Sequence, residues 1–303
     1  MWHKRFLHWI LLWILAGLIT AAALVYQNLT GPTNPKRLEL WLSDSQVYKF
    51  KLPRSHGGST NCLIELNIPD TMIAGELFFR RYPTHEEWQK TTLVRAKDKL
   101  AAYLPYQPPA GKLEYYLLFR QEGKVTRMPA GEQVVIRFRG DVPAGIIIPH
   151  ASLMFIAMLL SNLALLLALF NFRQYRTYGF ITTIVLFAGG LILGPMVQKH
   201  AFGQYWTGFP FGFDLTDNKT LIAFVFWLLA IIGNLKKGRR YLTILAALVM
   251  LVIFSIPHSA KGSELDPATG KIKTGMIFHA PVIPITLNAN GKQNYHWGIE
   301  AIA

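Results

Sequence analysis

Hydrophobic residues follow two different patterns along this chain. Five apolar runs, four of them without Asp, Glu, Lys or Arg, approach the length of about 20 residues that a helix needs to cross a bilayer. They extend over Phe6–Tyr26, Pro149–Phe170, Tyr178–Val197, Thr216–Leu235 and Tyr241–Ile256. Between the first run and the second, apolar and polar residues alternate with a period of two instead. The patterns predict an integral membrane protein with five transmembrane α-helices and one β domain.

The alternating region predicts a series of short β-strands separated by turns. These strands cover Leu38–Leu42, Val47–Leu52, Cys62–Ile68, Gly75–Arg80, Thr91–Arg95, Leu100–Leu104, Leu113–Phe119, Val125–Met128 and Gln133–Phe138. Turn-forming pairs such as Glu122-Gly123 separate them. Many short strands at close spacing favour an antiparallel β-sandwich over a parallel sheet.

The same patterns divide the chain into four parts. They are an N-terminus with the first membrane anchor (1–26), the β-sandwich domain (27–148), a four-helix membrane domain (149–256) that includes an aromatic loop (198–216), and a C-terminal tail (257–303). The first apolar run is longer than the core of a usual signal peptide, so we expect an uncleaved anchor.

The C-terminal tail combines turns with β-like runs. A turn at Asp266–Gly270 precedes runs at Lys273–His279, Val282–Leu287 and Tyr295–Ile299. We expect this β-rich tail to pack on the sandwich edge, on the aromatic loop, or on another subunit by strand addition.

Positive charge is concentrated beside the apolar runs. The net charge is +14, although only 16% of the residues are charged and 51% are apolar. Short segments on one predicted side hold Lys4, Arg5, Arg173, Arg176, Lys236, Lys237, Arg239 and Arg240. Because short cytoplasmic loops are rich in Lys and Arg, the N-terminus is expected in the cytoplasm and the C-terminus outside.

Charge and cysteine content also limit the possible partners and the compartment. The remaining positive charge forms no basic run, so nucleic acid is excluded as a partner. The sequence has one cysteine, Cys62, and thus no disulfide pair. With its short loops and large exoplasmic domain, the chain fits a bacterial inner membrane, with the β domain and tail in the periplasm.

The segment from Leu104 to Tyr116 is rich in proline and glycine and ends in two tyrosines. It resembles the approach to a late strand in fibronectin type III and other immunoglobulin-like modules. The resemblance implies an Ig-like sandwich in which a tyrosine hydroxyl bonds back to this corner, and we expect one tyrosine in the core and one outside. It implies a binding or spacing scaffold but no specific activity.

A candidate pocket lies at the outer rim of the membrane domain. The fourth run has few uninterrupted apolar residues, so its helix must begin earlier and bring Asp214, Asp217 and Lys219 to the membrane interface. The preceding loop is rich in aromatic residues. One interpretation is an aromatic belt in which Asp214 or Asp217 caps the helix. The alternative is a ligand pocket, formed by His200, Tyr205, Trp206, Phe211, Asp214 and Asp217.

Three histidines are expected at the same membrane level. His150 begins the second run, His200 follows the third and His258 follows the fifth. Such residues can bind a metal or ligate haem, although no two share a helix at metal-ligand spacing. Interfacial histidines that contact water or lipid headgroups are the simpler interpretation.

Three hypotheses about function remain. The first is a non-enzymatic accessory, anchoring or assembly subunit that binds lipid and an exoplasmic partner protein, without a cofactor. Few charged residues lie within the apolar runs, which disfavours an ion pump or a proton-coupled transporter. The second is an outer-face redox component that binds a metal, haem or a quinone. The third is a membrane sensor, which the short cytoplasmic segments disfavour.

Overall fold

A computed structural model of the chain describes residues 2–43, 46–257, 264–267 and 269–273. The helices are α1 (Trp2–Thr30), α2 (Ala144–Leu169), α3 (Tyr175–Leu186), α4 (Gly194–Phe202), α5 (Leu215–Asn234) and α6 (Arg240–Ser255), and a π-helical segment (Phe187–Leu193) joins α3 to α4. The strands are β1 (Lys36–Ser43), β2 (Gln46–Leu52), β3 (Ser55–Gly57), β4 (Cys62–Asn67), β5 (Ala74–Arg81), β6 (Gln89–Thr92), β7 (Val94–Ala96), β8 (Lys99–Leu104), β9 (Lys112–Gln121), β10 (Lys124–Met128), β11 (Val134–Arg139), β12 (Glu264–Leu265) and β13 (Ile272–Lys273).

Within the described part of the chain, four helical stretches are long and apolar enough to cross a membrane. They are Leu7–Thr30, Ala144–Leu169, Tyr175–Phe202 and Leu215–Asn234. Helix α6 is apolar but shorter, with 16 residues. It nevertheless runs beside α5, since Asn234 contacts Thr243 at one end and the Lys219 ammonium donates to the Ile256 carbonyl at the other. Four apolar helices of spanning length confirm the prediction of a membrane protein.

The β domain consists of two layers of strands around one apolar core. One layer is a sheet in the order β3-β11-β9-β5-β6, with β10 also paired to β9. The other contains β4-β8-β7 and the β1-β2 hairpin, which lies beside β4. Alternating residues of both layers, such as Leu40, Ile64, Leu77 and Phe119, are fully buried in the shared core. The two-residue alternation therefore produces this arrangement, because each strand turns one face inward.

Most predicted strands are present and differ from the structure by one or two residues at their ends. The predicted strand Thr91–Arg95 is divided at Leu93 into β6 and β7, which belong to different sheets. The short strand β3 was not predicted, and it pairs with β11 in parallel. All the other strand pairs described are antiparallel. Cys62 is buried in β4.

Tyr115 and Tyr116 occupy the two faces of β9. Tyr115 is fully buried in the core, and Tyr116 is partly exposed on the outer face. The Tyr115 hydroxyl donates a hydrogen bond of 2.7 Å to the Pro53 carbonyl. Pro53 follows β2, so the tyrosine connects the two layers and does not bond back to the proline-rich corner before β9.

The basic turns and the β domain lie at opposite ends of the helices. At one end, the Arg176 guanidinium donates to the Leu235 carbonyl, and Trp9 packs on Tyr178. At the other end, the Gly140 amide after β11 donates to the Ala201 carbonyl at the end of α4. The chain connects α1 to β1 through residues 31–35 and β11 to α2 through residues 140–143. Because both connections are short, the β domain lies at this end of the helices, away from the basic turns.

Polar and glycine residues bring the helices close together. The Asn162 amide donates to the Thr20 hydroxyl, which joins α2 to α1. A β-carbon at Gly189 would lie 2.9 Å from the Leu153 β-carbon, and one at Gly190 would lie 2.6 Å from the Thr220 methyl carbon. Side chains at these glycines would thus push α2 and α5 away from the π-helical segment.

The described part of the tail forms a small hairpin against the β domain. Strands β12 and β13 flank the predicted turn at Asp266–Gly270, where the Gly270 amide donates to the Asp266 carbonyl. The Leu265 amide donates to the Ala110 carbonyl, and Glu264 pairs with Lys112. The other predicted tail strands, beyond Lys273, lie outside the described residues.

Candidate functional site

A cavity of about 130 Å³ lies where the β domain meets the outer ends of the helices. We call it the seam cavity. It is lined by Arg137, His150, Met154, Gly190, Gly194, Val197, Gln198, Ala201, Phe202, Asp214, Thr216, Asp217 and Thr220. One strand (β11), three helices (α2, α4 and α5) and the π-helical segment contribute to its wall. The cavity therefore exists only when both domains are in place.

Asp214 starts helix α5. Its Oδ1 atom accepts hydrogen bonds from the backbone amides of Thr216, at 2.8 Å, and Asp217, at 3.4 Å. These amides have no partner within the helix, and a carboxylate at the N-cap satisfies them and favours the positive end of the helix dipole. The helix thus starts at Leu215, earlier than the uninterrupted apolar run, as its short length predicted.

Asp217 holds the aromatic loop. Its Oδ2 atom accepts from the amides of Thr207, at 2.6 Å, and Gly208, at 3.0 Å, as well as from the Thr207 hydroxyl, at 3.2 Å. The Gln198 side-chain amide donates to the same oxygen at 3.0 Å. No hydrogen bond to Oδ1 is present among the described residues. One carboxylate oxygen therefore fixes the loop, and Asp217 is at the same time one of the residues that line the cavity.

Arg137 brings a positive charge from the β domain to the seam cavity. It lies on β11, is only 8% exposed, and its guanidinium carbon lies 4.0 Å from the centre of the Phe202 ring. Burial lowers the pKa of the Arg137 guanidinium from its ordinary value, and the charges of Asp214 and Glu264 oppose this shift. The contact with Phe202 is a cation–π interaction between the two domains.

Lys219 does not take part in the cavity. It is buried, and its ammonium donates to the carbonyls of Ile256, at 2.7 Å, and Pro257, at 3.4 Å, just after α6. A cation at the C-terminal end of a helix interacts favourably with the carbonyls that have no partner within it. Lys219 thus joins α6 to α5.

The histidines predicted to share a site are differently placed. His150 lines the seam cavity, and its Nδ1 atom lies 2.9 Å from the Gly189 carbonyl oxygen. His200 is exposed on α4 and does not line the cavity, whereas His258 lies outside the described residues. In the described part of the chain, no group of three His, Cys, Asp or Glu side chains is arranged to hold a metal ion.

The aromatic loop residues lie outside the cavity. Tyr205 and Phe211 are strongly exposed, at 60% and 76%, and the indole of Trp206 donates to the Phe209 carbonyl within the loop. Of the residues predicted for the outer-rim pocket, the structure brings Asp214 and Asp217 to the cavity but not His200, Tyr205, Trp206 or Phe211. The exposed rings instead form an apolar surface at the end of the helices, typical of an aromatic belt.

A second group of residues lies on the outer face of the β9 sheet. We call it the Arg-aromatic stack, and it consists of Phe78, Arg80, Trp88, Tyr116 and Arg127. The Tyr116 ring stacks on Phe78, with ring centres 5.0 Å apart, and meets Trp88 edge-on at 4.8 Å. The guanidinium carbons of Arg127 and Arg80 lie 4.1 Å from the Tyr116 ring centre and 4.4 Å from the Trp88 ring centre.

The two guanidinium groups of the stack differ in their ionic contacts. Arg80 pairs with Glu114 at 2.5 Å, whereas Arg127 forms no ion pair among the described residues. The Arg127 Nε atom is also buried without a hydrogen-bond partner. In the described part of the chain, the guanidinium of Arg127 thus lies over the face of the Tyr116 ring without a carboxylate partner.

Sequence reasoning did not identify Arg137 or the Arg-aromatic stack. Arg137 occupies one position in an ordinary alternating strand, and its burial results from Phe202, which is distant in sequence. The stack shows a weak sequence pattern: Phe78 and Arg80 are two residues apart on β5 and so share a face. Only the pairing of β5 with β9 places Tyr116 opposite Phe78.

Comparison with protein-family models, with curated proteins and with solved structures finds no match to this chain.

Proposed function

We propose that the chain is a non-enzymatic accessory subunit of a bacterial inner-membrane assembly. The β domain faces the periplasm as an immunoglobulin-like scaffold, and its Arg-aromatic stack binds an acidic segment of a partner protein. Helices α1 to α6 provide five membrane crossings, with α6 as the fifth and the basic turns in the cytoplasm. The location of these turns at the end of the helices opposite the β domain supports this orientation.

The Arg-aromatic stack is the observation on which the partner-binding proposal depends. Trp, Tyr and Arg are the residues that contribute most to binding energy at protein interfaces, usually as a small central cluster. Here all three types occur in one cluster on a sheet face. Because the rings support one another, they lose little conformational entropy when a partner binds.

Charge indicates the chemistry of the partner. Arg127 has no carboxylate partner among the described residues, although Glu76 and Glu114 on neighbouring strands pair with Arg120 and Arg80. An Asp or Glu side chain of a bound segment would supply a charge-assisted hydrogen bond to Arg127. An acidic partner surface would also be attracted by this charge over distances of about 10 Å.

Site-specific photo-cross-linking in cells tests this proposal. Val125 is exposed and lies two residues from Arg127 on β10, so both side chains share the outer face. A photoreactive amino acid at position 125 should give one discrete cross-linked protein, with the attachment point in an acidic segment. Tyr103, which is exposed on β8 in the other layer, is the matched control position.

Two variants relate the cross-link to the stack. Arg127→Ala and Trp88→Ala should each reduce the cross-linked product about tenfold or more, as expected for residues that dominate an interface. Val94→Ala, an exposed residue in the other layer, should leave it unchanged. If position 125 gives no discrete product, or if both stack variants cross-link as well as the original chain, the proposal is wrong.

A further inference from the structure

We propose that the seam cavity binds the ring of a hydroquinone, a single aromatic ring with two hydroxyl groups. This proposal is independent of the partner-binding face, which lies on the outer surface of the β domain. It depends on the size of the cavity, the distribution of polar groups in its wall, and the hydrogen-bonding capacity of two side chains.

The volume of the cavity is suited to a small ligand. At about 130 Å³ it is close to the roughly 150 Å³ of an engineered cavity that binds benzene. One six-membered ring therefore fills it, and a fused or heavily substituted ring system would not fit. Any longer substituent of the ring would have to extend out of the cavity.

The wall is apolar on the membrane side and polar towards the β domain. Met154 and Thr220 each lie one helical turn deeper than His150 and Thr216, and Val197 and Gly190 complete the deeper wall. Arg137, Asp214 and Asp217 lie at the junction with the β domain. A ligand with an apolar ring and polar ends matches this distribution.

Two side chains offer acceptors to the ligand. The His150 Nδ1 atom lies 2.9 Å from a carbonyl oxygen, so Nδ1 carries the hydrogen and Nε2 of the neutral ring has a free lone pair. The Asp217 Oδ2 atom is occupied by loop donors, while Oδ1 has no hydrogen bond among the described residues. Both residues line the cavity, so a matching ligand supplies hydrogen-bond donors.

A hydroquinone supplies two such donors on a ring of the required size. The oxidised quinone offers only carbonyl acceptors, so these two side chains distinguish the reduced ring from the oxidised one. The neutral diol is the better match.

Gly194 keeps this space open. A β-carbon at Gly194 would make only ordinary contacts, 3.7 Å from the Gly189 carbonyl oxygen and 3.7 Å from the His150 ring. Alanine would therefore fit here sterically and would favour the helix by about 1 kcal/mol. The π-helical turn before it allows the Gly189 carbonyl to accept from both the Gly194 amide and His150. The glycine thus leaves room for a ligand beside His150.

Binding of hydroquinone itself to the purified full-length protein tests the proposal. Saturation-transfer NMR under anaerobic conditions in mild detergent should show saturable binding of benzene-1,4-diol. The compound p-xylene, which has the same shape but methyl groups in place of the hydroxyls, should bind at least tenfold more weakly. No saturable binding of hydroquinone, or equal binding of both compounds, would overturn the proposal.

Two variants change the cavity in different ways. Gly194→Ala should reduce hydroquinone affinity at least tenfold because the added methyl group occupies part of the space. Asp217→Asn retains one oxygen for the Thr207 and Gly208 amides and replaces the free acceptor with a donor, so it should have a similar effect. Asn218→Ala removes a different loop contact, to the Phe209 amide, and should bind normally. Unchanged binding by the first two variants, or an equal loss in the third, would contradict the assignment to the seam cavity.

Discussion

Asp217→Ala should release the aromatic loop without unfolding the rest of the molecule. In the structure, the buried amides of Thr207 and Gly208 donate to the Asp217 carboxylate at 2.6 and 3.0 Å. Each buried donor that loses its partner costs about 1–3 kcal/mol. Loss of the partner of both amides should therefore lower the stability of the folded loop by about 2–6 kcal/mol. Helix α5 should be unaffected, because its N-cap is Asp214 and not Asp217.

Amide hydrogen exchange, measured residue by residue, is the appropriate assay. A loss of 2 kcal/mol or more corresponds to exchange at least about 30-fold faster at Thr207 and Gly208. The Phe209 amide is an internal reference, since it donates to Asn218 and not to Asp217. Conversely, Asn218→Ala should increase exchange at Phe209 alone. If Asp217→Ala leaves exchange at Thr207 and Gly208 within threefold of the original chain, this account of the loop is incorrect.

Three further predictions concern packing, hydrogen bonding and pH. Gly190→Ala should destabilise the membrane domain by about 1–3 kcal/mol, because the new methyl group would lie 2.6 Å from a Thr220 carbon; thermal unfolding in detergent measures this loss. Tyr115→Phe should lower the free energy of unfolding of the β domain by about 1 kcal/mol, because the Pro53 carbonyl loses its donor, and denaturant titration detects it. Burial raises the pKa of the Cys62 thiol from 9.0 to about 11, so stability should fall as the pH rises from about 9 to 11, a decrease that Cys62→Ala should make smaller.

Matched controls accompany the first two of these predictions. Gly17→Ala, at a helical glycine with no heavy atom within 4 Å of the added carbon, should be neutral or slightly stabilising. Removal of the exposed hydroxyl in Tyr103→Phe should leave the β domain unchanged. For Cys62, the sign follows from the unfolded thiol, which ionises first and so favours unfolding above pH 9. Equal effects of a variant and its control would contradict the corresponding explanation.

Local patterns were sufficient to predict the helices and most of the strands but only part of the site. Strand boundaries followed from the two-residue alternation, because one face of each strand is buried in a common core. The early start of α5 followed from the shortness of its apolar run. By contrast, the contact between Asp217 and Thr207 depends on how the aromatic loop folds back. The burial of Arg137 depends on the docking of β11 on α4, and no local pattern contains that information.

The aromatic residues of the loop illustrate the same limit. Their composition indicated either a belt or the wall of a pocket, and both interpretations require a location near the membrane surface. The direction of each side chain decides between them, and it is set by the Asp217 and Asn218 contacts with the loop backbone. Tyr205 and Phe211 are exposed and do not line the cavity, which agrees with the belt interpretation.

The way the β domain is attached restricts how it can move. The short links 31–35 and 140–143 join it to α1 and α2, and the β12-β13 hairpin contacts both Lys112 on the domain and Gly203 after α4. We therefore expect the β domain to move together with the outer ends of the helices. A force applied to the β domain should then be transmitted to the helices, because the two short links leave little slack between them.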